Sequence, residues 1–207
     1  MHAMTVYDEL RELIVAGELP ARVSESELAE RLQVSRTPVR EALERLHGDG
    51  LVDARGRGVR LVSLDPRELR AVYRVRAALE ALTAELVAER QAAGEIAPAD
   101  LERLARAADD ATRAGDLAAG AAHNRAFHLR IAELADNPPA LDALRRIWDQ
   151  IVVSTKHSLV APARRRAVDE EHRRLLEAIA KGDAGTAAAA AKTHVLNTLK
   201  EFDGAHA

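Results

Sequence analysis

Three histidines in the second part of the chain are the residues best suited to chemistry. His128 follows Asn124 by four residues, so both side chains project from one face of one helix and can reach one atom. His172 and His194 lie in two later stretches with apolar residues at helical spacing. Three imidazoles that converge in the core of a helical bundle would suit Zn²⁺ or another borderline divalent metal. Each could instead be a partly buried histidine that only makes hydrogen bonds.

The composition narrows this chemistry. The chain has no cysteine, which excludes thiolate metal sites, disulfides and cysteine nucleophiles and fits a reducing cytoplasm. A di-iron carboxylate bundle needs two Glu-x-x-His motifs and two further glutamates. Asp169 and His172 form only an approximate match to that motif, so a di-iron site is disfavoured. The sequence shows neither a signal peptide nor the roughly 20 apolar residues of a membrane span, which predicts a cytoplasmic protein.

A second candidate site lies in the segment VSRTPVREAL at residues 34–43. Pro38 falls in the first turn of a helix capped by Ser35 or Thr37, where no intrahelical N–H bond is lost, so it begins the helix. Arginines on the exposed side of such a helix can donate two hydrogen bonds to guanine or one to a phosphate, and hydroxyls reach phosphates. The candidates for DNA contact on this helix are Ser35, Arg36, Thr37, Arg40 and Arg45.

The elements around this segment give it a structural context. A first helix ends at Gly17, and a second begins at Ser24 with the capping-box spacing SESE. After the third helix, LVDA and VRLVSL alternate like two short strands joined by the tight hairpin RGRG, whose tip adds Arg55 and Arg57. The order helix, helix, turn, helix and two-stranded ribbon predicts a winged helix-turn-helix, in which the second helix of the motif enters the major groove.

The charge of this region is local rather than general. The whole chain has a formal charge of −3, and residues 1–66 hold 9 Lys and Arg against 12 Asp and Glu. The arginines are concentrated on one helix end and one hairpin tip. We therefore expect a modest number of phosphate contacts and two copies of the protein on one DNA site.

Residues 66–207 differ in composition and hydrophobic pattern from the residues before them. The sequence therefore predicts a second domain at residues 66–207 behind a first domain at residues 1–65. Long Ala-, Leu-, Arg- and Glu-rich stretches carry the helical period, and glycines and prolines separate them by a few residues. Short connections favour antiparallel neighbours, so the expected fold is mostly α, with a helical bundle behind the winged domain. The predicted helices cover 66–93, 98–114, 117–136, 139–159, 162–182 and 184–203.

The first domain resembles the GntR-family winged helix-turn-helix throughout residues 5–64. The resemblance is carried by LRELIVAGEL, SESELAERLQVSRTPVREALERLHGDGLV and the RGRG wing. It implies that Ser35, Arg36, Thr37 and Arg40 are recognition-helix contacts and that the wing tip supplies a further one. The chain departs from the family at Ser26, where many members have an arginine that contacts phosphate.

Residues 66–203 resemble the all-helical effector domain of FadR-type GntR regulators, the FCD domain, through VRAALEALTAELVAE and N-x-x-FH-x-x-I-x-x-LADNP. Many members bind a metal through Asp-x-x-x-His and two later histidines. The resemblance thus implies a divalent metal, zinc first with nickel or manganese as alternatives, held by His128, His172 and His194. Asn124 takes the place of the aspartate, and its amide oxygen brings no charge, so the site would be more positive and weaker.

Arg76, in the segment VRAALE, matches an arginine that in the family often faces the same cavity. Beside an open metal position, it would suit a small carboxylate through bidentate pairing. The alternative is an ordinary pair with Glu80, four residues further along the helix.

Together these features predict a sequence-specific DNA-binding transcriptional regulator, a repressor in its expected sense, that binds a palindromic operator as a homodimer. A small organic acid in the helical domain would shift the arrangement of the two DNA-binding domains. The sequence favours this reading over an enzyme. The alternatives are a helical metalloenzyme with an appended DNA-binding domain, and a regulator whose helical domain only dimerises.

Overall fold

The computed structural model describes residues 4–53, 58–155 and 162–205. The described chain is mostly helical and divides into two compact units. The first comprises Met1–Arg67 and Trp148–His157, and the second comprises Glu68–Ile147 and Ser158–Ala207. The predicted fold class, a winged helix-turn-helix followed by a helical bundle, is confirmed.

The first two helices begin and end at the residues that the sequence indicated. Helix α1 (Val6–Ala16) ends at Gly17, which adopts the left-handed conformation at φ 80°. Helix α2 (Glu25–Arg31) begins behind Ser24, whose hydroxyl accepts from the Glu27 N–H at 3.2 Å. The Glu27 carboxylate accepts in return from the Ser24 N–H at 2.7 Å. The predicted capping box is therefore present.

Helix α3 (Arg36–Gly48) follows after a turn in which Gln33 has φ 55°. Ser35 occupies the N-cap position without a side-chain hydrogen bond, and Pro38 lies in the first turn as predicted. The apolar positions of the helix form a fully buried stripe, consisting of Val39, Ala42, Leu43 and Leu46.

The wing contains one more strand than the sequence predicted. Strands β2 (Val52–Asp53) and β3 (Val59–Leu61) form the expected antiparallel ribbon, but β1 (Arg22–Val23) pairs with the other edge of β3. The sheet order is β1-β3-β2, so the prediction of a two-stranded ribbon was wrong. A strand of two residues is too short to show an alternating pattern, and it forms only because β3 lies beside it.

Six helices follow, as predicted, with ends that differ from the expected ones by a few residues. The predicted end of the fourth, at 159, lies outside the described residues. None of the helices in the described part of the chain could span a membrane. The helices are α4 (Pro66–Ala92), α5 (Ala99–Arg113), α6 (Leu117–Leu134), α7 (Pro138–Thr155), α8 (Pro162–Ala180) and α9 (Ala184–Ala205).

Small side chains let the helices of the second unit approach closely. At the α8–α9 turn, a Cβ atom on Gly182 would lie 2.7 Å from the Cβ of Ala92, and its φ of 68° also favours glycine. Alanines on α4, α5, α8 and α9 occupy contact positions in the core. The larger core residues include Val87, Leu101, Phe127, Ile131, Leu175 and Ile179.

The end of α7 completes the first unit. Asp149 is fully buried and accepts from Arg11 Nε on α1 at 2.5 Å. Gln150 donates to the carbonyl of Asp49 at 2.7 Å, and Val153 packs on the hydrophobic core of α1, α2 and α3. The winged unit is therefore built from two separate stretches of the chain.

Candidate metal and DNA-binding sites

The structure brings His128, His172 and His194 together from α6, α8 and α9. Each is at most 2% exposed. The ring centroids are 4.8 Å apart for two of the three pairs and 5.4 Å apart for His128 and His172. One ligand nitrogen from each lies within 4.8 Å of the others. Three imidazoles on separate helices thus face one common point, which is the arrangement that a metal centre requires.

Asn124 lies on α6, one turn before His128. Its Oδ1 is buried and makes no hydrogen bond to any described residue. A buried amide oxygen without a partner is costly, and a cation near it would remove that cost. Three imidazoles and this oxygen therefore fit a borderline divalent metal.

Burial sets the protonation state of His194. It lowers the pKa of the ring to about 4, although the hydrogen bond that Nδ1 donates to Glu171 opposes this shift, and His128 and Arg76 lower the pKa further. The imidazole is therefore neutral at pH 7. A neutral ring keeps the lone pair that a metal ligand needs.

Arg76 and Glu80 form a buried ion pair on α4, with Arg76 Nε donating to Glu80 Oε1 at 2.6 Å. Burial alone would raise the pKa of Glu80, but the Arg76 guanidinium and His128 hold it well below its usual range. The other carboxylate oxygen lies 2.9 Å from His128 Nδ1. The two sequence interpretations of Arg76 are therefore compatible, because its pairing with Glu80 takes place beside the histidines.

Glu171 on α8 is the other carboxylate at the cluster. Its Oε2 lies 2.8 Å from His194 Nδ1, and its Oε1 accepts from Asn197 Nδ2 at 2.7 Å. Neither Glu80 nor Glu171 was singled out from the sequence. Glu80 entered only as an alternative partner of Arg76, and nothing in the spacing marks Glu171.

A narrow gap between side chains adjoins the cluster, and it has no room for a water molecule. Its lining is mixed, with the carboxylate, imidazole and hydroxyl of three residues among apolar side chains. The lining residues are Glu80, Thr83, Ala84, His128, Ile131, Leu175 and Ala191.

Asp169 takes no part in the described histidine cluster. It shares a hydrogen bond with Asp109 of α5, and burial together with this neighbour raises the pKa of Asp109 to about 7. The residue that came closest to a di-iron motif thus belongs to a separate pair of carboxyl groups.

The candidate DNA-binding residues at the start of α3 lie together and are exposed. Glu25, the first residue of α2, accepts from Arg40 at 3.1 Å and from Arg36 at 3.5 Å. Its hydrogen bond to Arg40 is the main reason why its pKa is lowered. A surface cleft of α2, α3 and the wing runs past these side chains, lined by Ser24, Glu25, Ser26, Arg36, Arg40, Gly58 and Val59.

Arg45 does not join this group. Its guanidinium stacks on the ring of Tyr7 at 3.9 Å from the centroid. The Tyr7 hydroxyl donates to Asp49 at 2.7 Å, and burial together with this acceptor raises the pKa of Tyr7 to about 12. The structure thus gives Arg45 a packing role between α1 and α3. The wing residues Arg55 and Arg57 lie outside the described residues.

Comparison with protein families assigns both parts of the chain. The family described as bacterial regulatory proteins, gntR family, matches residues 2–61. The FCD domain matches residues 71–197.

Individual proteins agree with these matches. The HTH-type transcriptional regulator YdhC of Bacillus subtilis (strain 168) is 30% identical over 195 residues, covering 92% of this chain and 84% of its own. An Escherichia coli (strain K12) regulatory protein named for the L-lactate dehydrogenase operon is 32% identical over 229 residues, covering 96% and 86%. The solved structure of E. coli McbR/YncC superposes with a TM-score of 0.83 at 24% identity and full coverage of both chains, which shows a shared fold.

Proposed function

The chain belongs to the GntR family of bacterial transcriptional regulators, with an FCD domain behind its DNA-binding domain, and from this premise we propose that a small carboxylate bound beside a metal ion controls its binding to DNA. The observation that carries the proposal is the convergence of three buried imidazoles in the FCD domain. We further propose that the protein acts as a repressor.

His128, His172 and His194 would hold the metal, and Asn124 would add its buried amide oxygen. Zinc suits this donor set best, with nickel and manganese as alternatives. When bound, the metal would supply a positive centre that attracts a carboxylate oxygen. Because Asn124 is neutral, we expect weaker metal binding than a site with an aspartate at this position would show.

Arg76 supports the choice of an acid as the effector. It places a guanidinium in the interior of the second unit, next to the histidine cluster, where an entering carboxylate would compete with Glu80 for its N–H groups. The relative named for the L-lactate dehydrogenase operon is consistent with a small hydroxycarboxylate.

Ser35, Arg36, Thr37 and Arg40 would read the operator from the start of α3. All four are exposed, and Arg36 and Arg40 lie on the same cleft as the wing residue Val59. The wing arginines Arg55 and Arg57 would add contacts to the backbone or to a neighbouring groove, and Arg45, which is exposed and stacks on Tyr7, would add a contact further along α3.

The operator complex would contain two copies, paired through the exposed face of α4. This face carries four apolar residues at alternating four- and three-residue spacing: Ala71, Val75, Ala78 and Leu82, of which Val75 is 53% and Leu82 39% exposed. Exposed Arg67 and Arg74 lie towards its N-terminal end, with exposed Glu68 between them, and exposed Glu85 and Glu89 lie towards its C-terminal end. Antiparallel pairing about a two-fold axis near Ala78 would bury the apolar stripe and set opposite charges against each other.

The metal and effector proposal is tested by zinc content and thermal stability. Wild-type protein should bind one zinc ion per chain and gain stability from zinc and from small hydroxycarboxylates such as L-lactate. His128→Ala and His172→Ala should lose both responses, whereas His123→Ala, which changes an exposed histidine of the same helix α6, should keep them. Unchanged metal content in the two variants would leave only a dimerisation role for the helical domain.

A further inference from the structure

Two carboxylates lie beside the histidine cluster, each next to the Nδ1 atom of one ring. Glu171 Oε2 lies 2.8 Å from Nδ1 of His194, and Glu80 Oε2 lies 2.9 Å from Nδ1 of His128. An ionised carboxylate can only accept a hydrogen bond. In a neutral imidazole, the nitrogen beside the carboxylate must therefore carry the proton, and the lone pair belongs to Nε2.

We propose that Glu171 is a positioning residue that fixes the tautomer of His194, so that the ring presents the lone pair of Nε2 to the metal. The contact between Glu80 and His128 lacks hydrogen-bond geometry and fixes no tautomer. The inference rests on the proposed function, because it assigns Glu171 to the same metal site. It adds a residue that holds a ring rather than a residue that binds the ion.

Glu171 is itself held in place on both oxygens. Asn197 Nδ2 donates to Oε1 at 2.7 Å, while Oε2 faces His194. The side chain is only 13% exposed, so water competes weakly for it. His172 and Glu171 are neighbours on α8, and His194 and Asn197 share α9. One helix pair therefore supplies two of the proposed ligands and the network that orients one of them.

The same network bears on the missing charge at Asn124. A carboxylate bonded to a ligand imidazole raises the basicity of the ring and adds negative charge near the ion. Glu171 places this negative charge beside His194. It thereby supplies charge that an aspartate at position 124 would otherwise have brought. Glu80 adds no net charge beside His128, because Arg76 already balances it.

Glu171→Gln tests the tautomer directly because of Asn197. The Asn197 amide donates, so it should keep the new carbonyl oxygen on its own side and turn the new NH₂ group towards His194. That NH₂ donates to Nδ1, which forces the proton of His194 onto Nε2. The substitution therefore keeps the size of the side chain and reverses the orientation of the proposed hydrogen bond.

The experiment uses the full-length protein with ¹⁵N-labelled histidine. Long-range ¹H–¹⁵N spectra of the zinc-free protein at pH 7.5 report which ring nitrogen carries the proton, and competition with a chelator gives the affinity for Zn²⁺. Glu170→Gln is the matched control, because Glu170 is the adjacent residue but pairs with Arg173 and Arg174. Wild type and Glu170→Gln should show the Nδ1–H form of His194 and the same zinc affinity.

Glu171→Gln should show the Nε2–H form and bind Zn²⁺ about 10- to 100-fold more weakly. An unchanged His194 tautomer together with an unchanged affinity in Glu171→Gln would overturn the inference. If wild type and Glu170→Gln bind no zinc, the proposed function fails, and the tautomer alone then decides the role of Glu171.

Asn197→Ala serves if circular dichroism shows that Glu171→Gln does not fold. Release of the Glu171 carboxylate should give mixed tautomers at His194 and an affinity for Zn²⁺ that is several-fold lower. A single Nδ1–H tautomer with the wild-type affinity would contradict the proposed network.

Discussion

Glu25 places a negative charge on the surface of α3 that is proposed to contact DNA. Its carboxylate pairs with Arg40 and Arg36 at 3.1 and 3.5 Å, and both arginines are more than half exposed. Any phosphate that approaches these arginines must compete with it. Exposed pairs of this kind are weak, so a specific operator can replace the carboxylate, whereas a poorly fitting DNA gains less from doing so.

Substitution of Glu25 should therefore weaken discrimination between DNA sequences. We expect Glu25→Gln to bind a random-sequence duplex about two- to fivefold more tightly, because an exposed pair of this strength no longer has to be broken. Fluorescence anisotropy at fixed salt measures this affinity. Glu30→Gln, at another exposed position of α2, should match wild type, and equal affinities for all three proteins would show that Glu25 does not compete with phosphate.

Sequence reasoning identified the cluster-forming residues but missed their partners. His128, His172 and His194 could be selected because histidines are few and lie on helices that a bundle brings together. Glu25, Glu80 and Glu171 are three among 33 acidic residues. Tertiary packing chooses their partners, as in the Glu171–His194 bond across 23 positions, and no local pattern records such a choice.

At the scale of elements, α4 carries polar side chains among the apolar ones of its buried face and two large apolar side chains on its exposed face. Arg76, Glu80 and Thr83 point inward, while Val75 and Leu82 lie on the exposed face. The sequence pattern predicted the helix itself, because Ala, Leu and Glu favour it over 27 residues. It could not predict which face would be buried, since the inward face includes charged residues that only the histidine site explains.

The proposed pairing of α4 can be tested by exchanging charges. Arg74→Glu and Glu85→Arg should each weaken self-association by placing like charges together twice across the two-fold axis. An equimolar mixture of the two variants, and the double variant Arg74→Glu/Glu85→Arg, should recover dimers. Analytical ultracentrifugation measures the association. Dimers of wild-type strength in both single variants would place the interface elsewhere.

The carboxyl pair of Asp109 and Asp169 makes the packing of α5 on α8 sensitive to pH. Burial and Asp169 raise the pKa of Asp109 to about 7, so the folded state binds a proton that the unfolded chain releases near pH 4. This contribution is fully present below pH 4 and is lost as the pH rises through 7. Asp109→Asn should remove the dependence and raise the melting temperature at pH 8 by about 2–4 °C.

Differential scanning calorimetry at pH 5 and pH 8 measures this effect. Asp110→Asn is the control, because Asp110 is the exposed neighbour and pairs with Arg113. It should retain the wild-type fall in stability between the two pH values. A fall of equal size in Asp109→Asn would mean that the pair does not share a proton.

At the scale of the whole molecule, the two structural units are not continuous stretches of the chain. The composition and the hydrophobic period of the sequence change near residue 65. The longer stretch of the first unit ends close to this point, at Arg67. It also takes Trp148–His157 from the far end of α7. Sequence reasoning treated this helix as part of the bundle, because its apolar period continues without a break and periodicity does not reveal which core a helix end joins.

A fragment of residues 1–67 should therefore be less stable than the same unit in the full chain, since Arg11 would lose its partner Asp149 and the core would lose the cover of Val153. A synthetic peptide of residues 146–157, added in trans, should raise the melting temperature of the fragment. The same peptide with Asp149→Asn should do so less. A fragment that melts like the intact unit, with or without peptide, would show that the α7 segment adds little.

Because the winged unit is built from two separate stretches of the chain, its parts are synthesised at different times. A ribosome that has released the helix-turn-helix has not yet made residues 148–155, and at about 5–20 residues per second the missing segment follows only after several seconds. During that interval the nascent winged unit lacks the buried carboxylate of Asp149 and the hydrophobic contact of Val153. The winged unit of this regulator is therefore completed late, after most of the domain that is proposed to control it has been synthesised.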